Sequence, residues 1–151
     1  MTATSGVAHG TSSRSPLKLA ATVVGAMFVL VGLLGFVPGI TEPYDQLRFA
    51  GHESGAKLLG LFQISVLHNL VHLLYGVAGL AMARRADTAK KFLLYGGIIY
   101  LVLFVFGLLI GDEVDINFVP LNLADDFLHL GLGTGMIALA LLRDRDHSSR
   151  H

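Results

Sequence analysis

Four apolar stretches, separated by short polar interruptions, dominate the hydropathy pattern. The first runs from Leu19 to Val37 without a charge and stops at the chain-breaking pair Pro38-Gly39. The second, Ile64 to Ala83, stops at Arg84-Arg85, and the third, Phe92 to Ile110, stops at Gly111-Asp112. The fourth begins near Leu121 and ends at Leu142, before Arg143. Each is about 19 to 22 residues, the length a helix rising 1.5 Å per residue needs to cross a hydrocarbon core of about 30 Å. Four strands cannot close a membrane barrel, so helices are the viable spans. A buried soluble bundle would give each helix a polar face, and the first and third stretches have none.

The pattern predicts an all-α polytopic membrane four-helix bundle. Its spans fall at about 19–37, 64–83, 92–110 and 121–142, within a transmembrane domain of residues 17–142. Residues 1–16 and 143–151 are expected to be cytoplasmic tails, the first of them disordered because it holds too few apolar residues to pack. The run after Lys18 is too long for a signal-peptide core and ends without a small-residue cleavage site. The connection from Pro38 to Gln63 is the long one. Its apolar second half, Ala56 to Phe62, is expected either to lie on the interface or to extend the second helix.

Orientation follows the basic residues. Arg14, Lys18, Arg84, Arg85, Lys90, Lys91, Arg143, Arg145 and Arg150 fall on one side, and only Arg48 and Lys57 on the other. Both ends are therefore expected in the cytoplasm. The acids Glu42, Asp45, Glu53, Asp112, Glu113 and Asp115 collect outside. Formal net charge is zero, which gives nucleic acid no field to follow. The chain has no cysteine, which excludes disulfides, thiolate nucleophiles and Cys-type metal sites.

An internal pattern links the second and fourth stretches. Asn69-Leu-Val-His72-Leu-Leu-Tyr-Gly76 matches Asp126-Phe-Leu-His129-Leu-Gly-Leu-Gly133, displaced by 57 positions. On the first and third stretches Gly32-Leu-Leu-Gly35 aligns with Gly107-Leu-Leu-Ile110. Each half reads as an out-and-back hairpin, and two hairpins of the same orientation make a parallel repeat. The segment Phe62 to Gly76, with its His68-Asn69 and His72, and the segment Asn122-Leu-Ala-Asp125-Asp126-Phe-Leu-His129-Leu resemble the signatures of a family of small bacterial four-span membrane proteins. That family is catalogued as a domain of unknown function. The resemblance covers roughly Leu17 to Leu142, implies a multi-pass protein of the bacterial cytoplasmic membrane, and brings no established activity.

Ionisable groups inside a bilayer are costly, so each calls for an account. His68 and His72 are four apart and share a helix face with Tyr75 and Gly79. Asn122, Asp126, His129 and Gly133 lie along one face of the fourth helix, with Asp125 beside it. Counting helical rise from the nearest basic residues puts His72 about 18 Å and His129 about 21 Å above the cytoplasmic boundary. Asn69 and Asp126 lie one turn further out, and Tyr100 on the third helix sits about 13 Å up, at the level of Tyr75. His72 and His129 are expected to face the bundle interior, because an imidazole left unpaired in lipid costs roughly 1–3 kcal/mol per group.

Three roles fit this cluster. The first expectation is structural: the polar groups bond across helices in a non-enzymatic membrane component or subunit, whose partners are lipid, a second copy of the chain or another membrane protein. The second is a redox protein holding haem or a divalent metal through His72 and His129. The third is a proton-linked small-solute transporter. His52 and Glu53 are expected to be solvated. Gly107 with Gly111, and Gly131 with Gly135, form Gly-x-x-x-Gly pairs that are common in membrane helices. There is no nucleophile elbow, phosphate loop or His-Glu-x-x-His, and adjacent Asp125-Asp126 do not make a glycosidase pair.

Overall fold

A computed structural model of the protein describes residues 15–51, 53–110 and 121–142. His52, Asp112, Glu113, Asp115, Gly111 and the basic residues of the two tails lie outside the described residues.

Four helices carry the fold: α1 (Pro16–Leu34), α2 (Val66–Met82), α3 (Ala86–Ile110) and α4 (Leu123–Ala140). Two of them, α1 and α3, are long and apolar enough to cross a membrane, whereas α2 is apolar but shorter. Pro16 opens α1, where its missing N–H costs nothing. The helix stops at Leu34, short of Pro38, because Gly35 closes the last turn and the buried Thr41 hydroxyl donates to the Gly35 carbonyl at 3.2 Å. Helix α3 begins ahead of its apolar run and carries Asp87, Lys90 and Lys91 in its first turns. The Thr88 hydroxyl donates to the Met82 carbonyl at 2.6 Å, which tightens the short link from α2.

The protein is mostly helical but not all-α. The apolar 56–62 segment does not extend α2, which begins at Val66. The 38–63 connection folds into a three-stranded antiparallel sheet in the order β1 (Thr41–Glu42), β2 (Lys57–Leu58), β3 (Phe62–Gln63), with a 3-10 turn at Tyr44–Gln46. Leu58 pairs with Thr41 on one side and with Phe62 on the other. The β2–β3 turn places Leu59 and Gly60 at positive φ, 55° and 71°. That conformation is uncommon for leucine, whose Cβ crowds the following carbonyl. Ala56, Leu58 and Ile64 form a small core beneath the sheet, packed on Val31 and Leu34 of α1. The cap is thereby seated on the end of the bundle from which α1 leaves.

Helix α1 packs on α2 and α3 on α4, and the two hairpins meet mainly through α1 and α3. Glycine lets the backbones close up. A Cβ on Gly76 would stand 2.7 Å from the Gly25 carbonyl oxygen, and one on Gly97 would stand 2.8 Å from that of Gly133. Side chains on Gly35 and Gly107 would collide with the side chains of Asn69 and Asp126 respectively.

The principal core runs through Phe28, Phe92, Leu93, Tyr100 and Met136, with small residues such as Ala21 and Ala140 between the helices. The outward faces are the reverse of a soluble bundle's. On α1, Leu19, Val23, Met27, Leu30 and Leu33 all lie exposed, while Ala21, Gly25 and Gly32 are buried. Helix α3 likewise exposes Ile99, Val102, Val105 and Leu108.

Candidate functional site: a histidine cluster between two apolar cavities

Ser65 caps α2 and fixes where its histidines fall. Its hydroxyl accepts from the His68 amide at 3.1 Å, so His68 lies in the first turn and His72 one turn on. Both rings point inward and are only 7% exposed, and their centroids stand 4.4 Å apart, edge to face. His129 reaches the same region from α4 and is 3% exposed. Asn69, at 1% exposure, packs in the space that Gly35 leaves, and Asp126 does the same opposite Gly107.

Aromatic rings hold the histidines apart from the rest of the core. Phe28 stacks on Tyr100 at 5.4 Å between centroids and 21° between planes. Phe28 also touches His72 at 5.5 Å, and Tyr100 touches His129 at 5.2 Å. The contacts therefore run His72–Phe28–Tyr100–His129 across the hairpin interface. Phe28 escapes sequence reasoning because the only polar residues of α1, Lys18 and Thr22, lie in its first turns, away from Phe28. The only signal is its place on the Gly25–Phe28–Gly32 face. Tyr75 adds a buried hydroxyl beside Gly96 and an edge contact to Phe28 at 5.0 Å.

Two cavities meet at this cluster. One, of about 200 Å³, reaches out between α1 and α4 beneath the cap, past Met27, Val31, Leu59 and Leu128. The other, of about 180 Å³, reaches out between α2 and α3 past Leu67, Val71 and Leu103. His68, His72, Tyr100 and His129 line both, so these four side chains form the partition between them.

The polar atoms of the partition are poorly provided for. The Nδ1 atoms of His68, His72 and His129, both side-chain polar atoms of Asn69 and the Tyr75 hydroxyl are buried without a hydrogen-bond partner. Native proteins leave few such groups, and each one calls for an explanation.

Asn122 and Asp125 do different work from the residues one turn below them. Asn122 is the N-cap of α4, in a reciprocal capping box with Asp125. The Asp125 Oδ2 accepts from the Asn122 amide at 3.1 Å and from the Gln63 amide at 3.0 Å. The Asn122 side chain donates to the Leu61 carbonyl at 2.9 Å. These bonds latch the β2–β3 hairpin to α4. Among the described residues, no three histidine or carboxylate side chains converge closely enough to hold one metal ion.

Residues 18–142 match the family described as Domain of unknown function (DUF4383), and the chain belongs to that family. No curated protein and no solved structure matches it.

Proposed function

We propose that the protein is a four-span integral membrane protein whose histidine-lined cavities bind a small lipid-soluble molecule, in a non-enzymatic role as a membrane component. The observation that carries the binding reading is the set of three histidines, each with an unpartnered Nδ1, that line two apolar cavities. A structural role needs bonds between the polar groups, because an unpaired buried group costs roughly 1–3 kcal/mol and holds nothing together. A bound molecule that presents a polar atom to these imidazoles gains hydrogen bonds that the protein's own groups do not supply.

The exposed aliphatic stripes on α1 and α3 support the membrane reading, since a soluble bundle would turn them inward. The distribution of the basic residues supports a cytoplasmic place for both tails. The parallel-repeat reading is supported by matched contacts. Gly25–Gly76 corresponds to Gly97–Gly133, Gly35–Asn69 to Gly107–Asp126, and Phe28–His72 to Tyr100–His129. This correspondence sets Gly35, rather than Gly32, against Gly107. Haem or metal ligation through His72 and His129 draws less support, because the contacting Phe28 and Tyr100 rings stand in the chain between them and no third ligating side chain joins the two among the described residues. A proton relay calls for hydrogen-bonded neighbours that the Nδ1 atoms lack.

The test is a thermal-unfolding measurement on the delipidated protein in detergent with methylnaphthalene, a small ring hydrocarbon. Binding raises the midpoint in the wild type and not in a cavity-filled variant carrying both Val31→Phe and Leu128→Phe. Equal shifts in the two proteins would remove the binding reading.

A further inference from the structure

Size, polarity and access narrow the ligand, on the binding reading just given. An apolar cavity of about 150 Å³ accommodates benzene. The larger cavity here, of about 200 Å³, therefore has room for a small substituted ring or fused ring pair and none for a macrocycle, a sterol or a phospholipid headgroup. No lysine or arginine lines either cavity, so nothing there favours an anion. The mouth between α1 and α4 is framed by Met27 and Leu59, which are 55% and 64% exposed. Both sit on the apolar outer surface, so a ligand carrying a hydrocarbon tail could leave that tail in lipid.

The inner wall supplies the rest. Phe28 and Tyr100 present a stacked aromatic pair, a platform for a flat ring. His72 and His129 stand on different hairpins, each in contact with one ring of that pair. A neutral imidazole offers one donor and one acceptor. Polar ring substituents at opposite ends of a planar molecule match that arrangement. Carbonyl oxygens would accept from imidazole N–H, and the corresponding hydroxyls would donate to bare ring nitrogen.

We propose that the larger cavity binds the ring of a lipid-soluble quinone, which reaches it from the bilayer between α1 and α4 and is held by His72 and His129 over the Phe28–Tyr100 pair. The site takes the oxidised and the reduced ring through the same two imidazoles. The strained Leu59 turn lies over the mouth, where its side chain borders the cavity.

The experiment compares menadione, a short naphthoquinone, with methylnaphthalene, which has the same ring frame and no carbonyls. Equilibrium dialysis of the full-length protein in detergent against empty micelles gives both affinities. Infrared difference spectra give the quinone carbonyl band. Menadione is expected to bind about tenfold more tightly than the hydrocarbon, which is the worth of one or two net hydrogen bonds. Its carbonyl band should move to lower frequency on binding. The double variant His72→Leu, His129→Leu should lose that tenfold and the band shift while still binding methylnaphthalene, which shows that it has folded. Equal affinities for the two probes would overturn the quinone assignment and leave the small-molecule reading standing. Selectivity or a band shift that survives in the double variant would also overturn it. Binding of neither probe would overturn both.

Discussion

Replacing His68 with leucine separates a binding site from structural glue by the size of a single number. The Nδ1 of His68 is buried and unpartnered, and the ring makes an edge contact with His72 at 4.4 Å. Removing an unsatisfied buried group recovers roughly 1–3 kcal/mol, and losing the ring contact costs roughly 0.5–1.5 kcal/mol. Leucine is close to histidine in volume, so the packing penalty stays below about 1.5 kcal/mol. In a bilayer the unfolded reference state is also apolar and finds partners of its own, so the low end of the recovery applies. With the recovery, the lost ring contact and the repacking penalty all at their low ends, about 1, about 0.5 and near 0 kcal/mol, His68→Leu keeps a stability within about 0.5 kcal/mol of wild type. If the imidazole were instead a cross-helix hydrogen-bonding group, the same change would cost about 1–3 kcal/mol. Reversible unfolding in mixed detergent and dodecyl sulfate, followed by far-ultraviolet circular dichroism, resolves that difference. A loss of 1 kcal/mol or more in both His68→Leu and His72→Leu would refute the reasoning.

Other changes probe the frame of the site. Gly76→Leu should destabilise the α1–α2 hairpin by about 1–3 kcal/mol or more, because even a Cβ there stands 2.6 Å from the Val29 amide nitrogen. Gly131→Ala and Gly135→Ala, whose Cβ atoms meet nothing within 4 Å, should raise stability by about 0.5–1 kcal/mol each in the same unfolding assay. A fall in a self-association measurement for these two would instead mark α4 as a contact between copies. Asp125→Ala should cost about 2–4 kcal/mol, since two amide bonds to a carboxylate are lost, and should speed hydrogen exchange at residues 57–63. A reporter fused after Leu142 should be cytoplasmic, and one inserted within 112–115 should be outside.

The periodic parts of the fold are legible in the sequence because helix geometry leaves few choices. Runs near 20 apolar residues announce helices, and the spacing of His68 and His72 puts both on one face. The helix ends are less legible. Pro38 marks where α1 could not continue, yet the Thr41 hydroxyl ends it earlier by taking its last carbonyls. The start of α3 is hidden by Asp87, Lys90 and Lys91, which lower hydropathy without opposing a helix. The cap is hidden more deeply. Its strands are two residues each, too short to show alternation, and its three-residue turn, Leu59-Gly60-Leu61, lacks the Asn-Gly that signals a two-residue hairpin. The histidines stand out as polar groups in apolar helices. Phe28, which touches one of them, looks like any core residue until the hairpins are assembled.

Asp125 and Asp126 show how one dipeptide ties these levels together. Adjacent residues on a helix point about 100° apart, so the two carboxylates answer to different neighbours. Asp125 faces the cap and accepts the Gln63 amide, which fixes β3 against the start of α4. Asp126 faces α3 and fills the gap left at Gly107, as Asn69 fills the gap at Gly35 on the other hairpin. The first bond seats the hairpin that carries Leu59 over the larger cavity. The second places α4 so that His129 meets Tyr100. Roof and wall of the cavity are thus set from the same turn of α4, so a change that shifts the start of that helix moves both together. The arrangement couples the apolar outer turn to the histidine partition through two hydrogen-bonded or close-packed steps. That coupling is the physical reason to treat the cap and the cluster as one site.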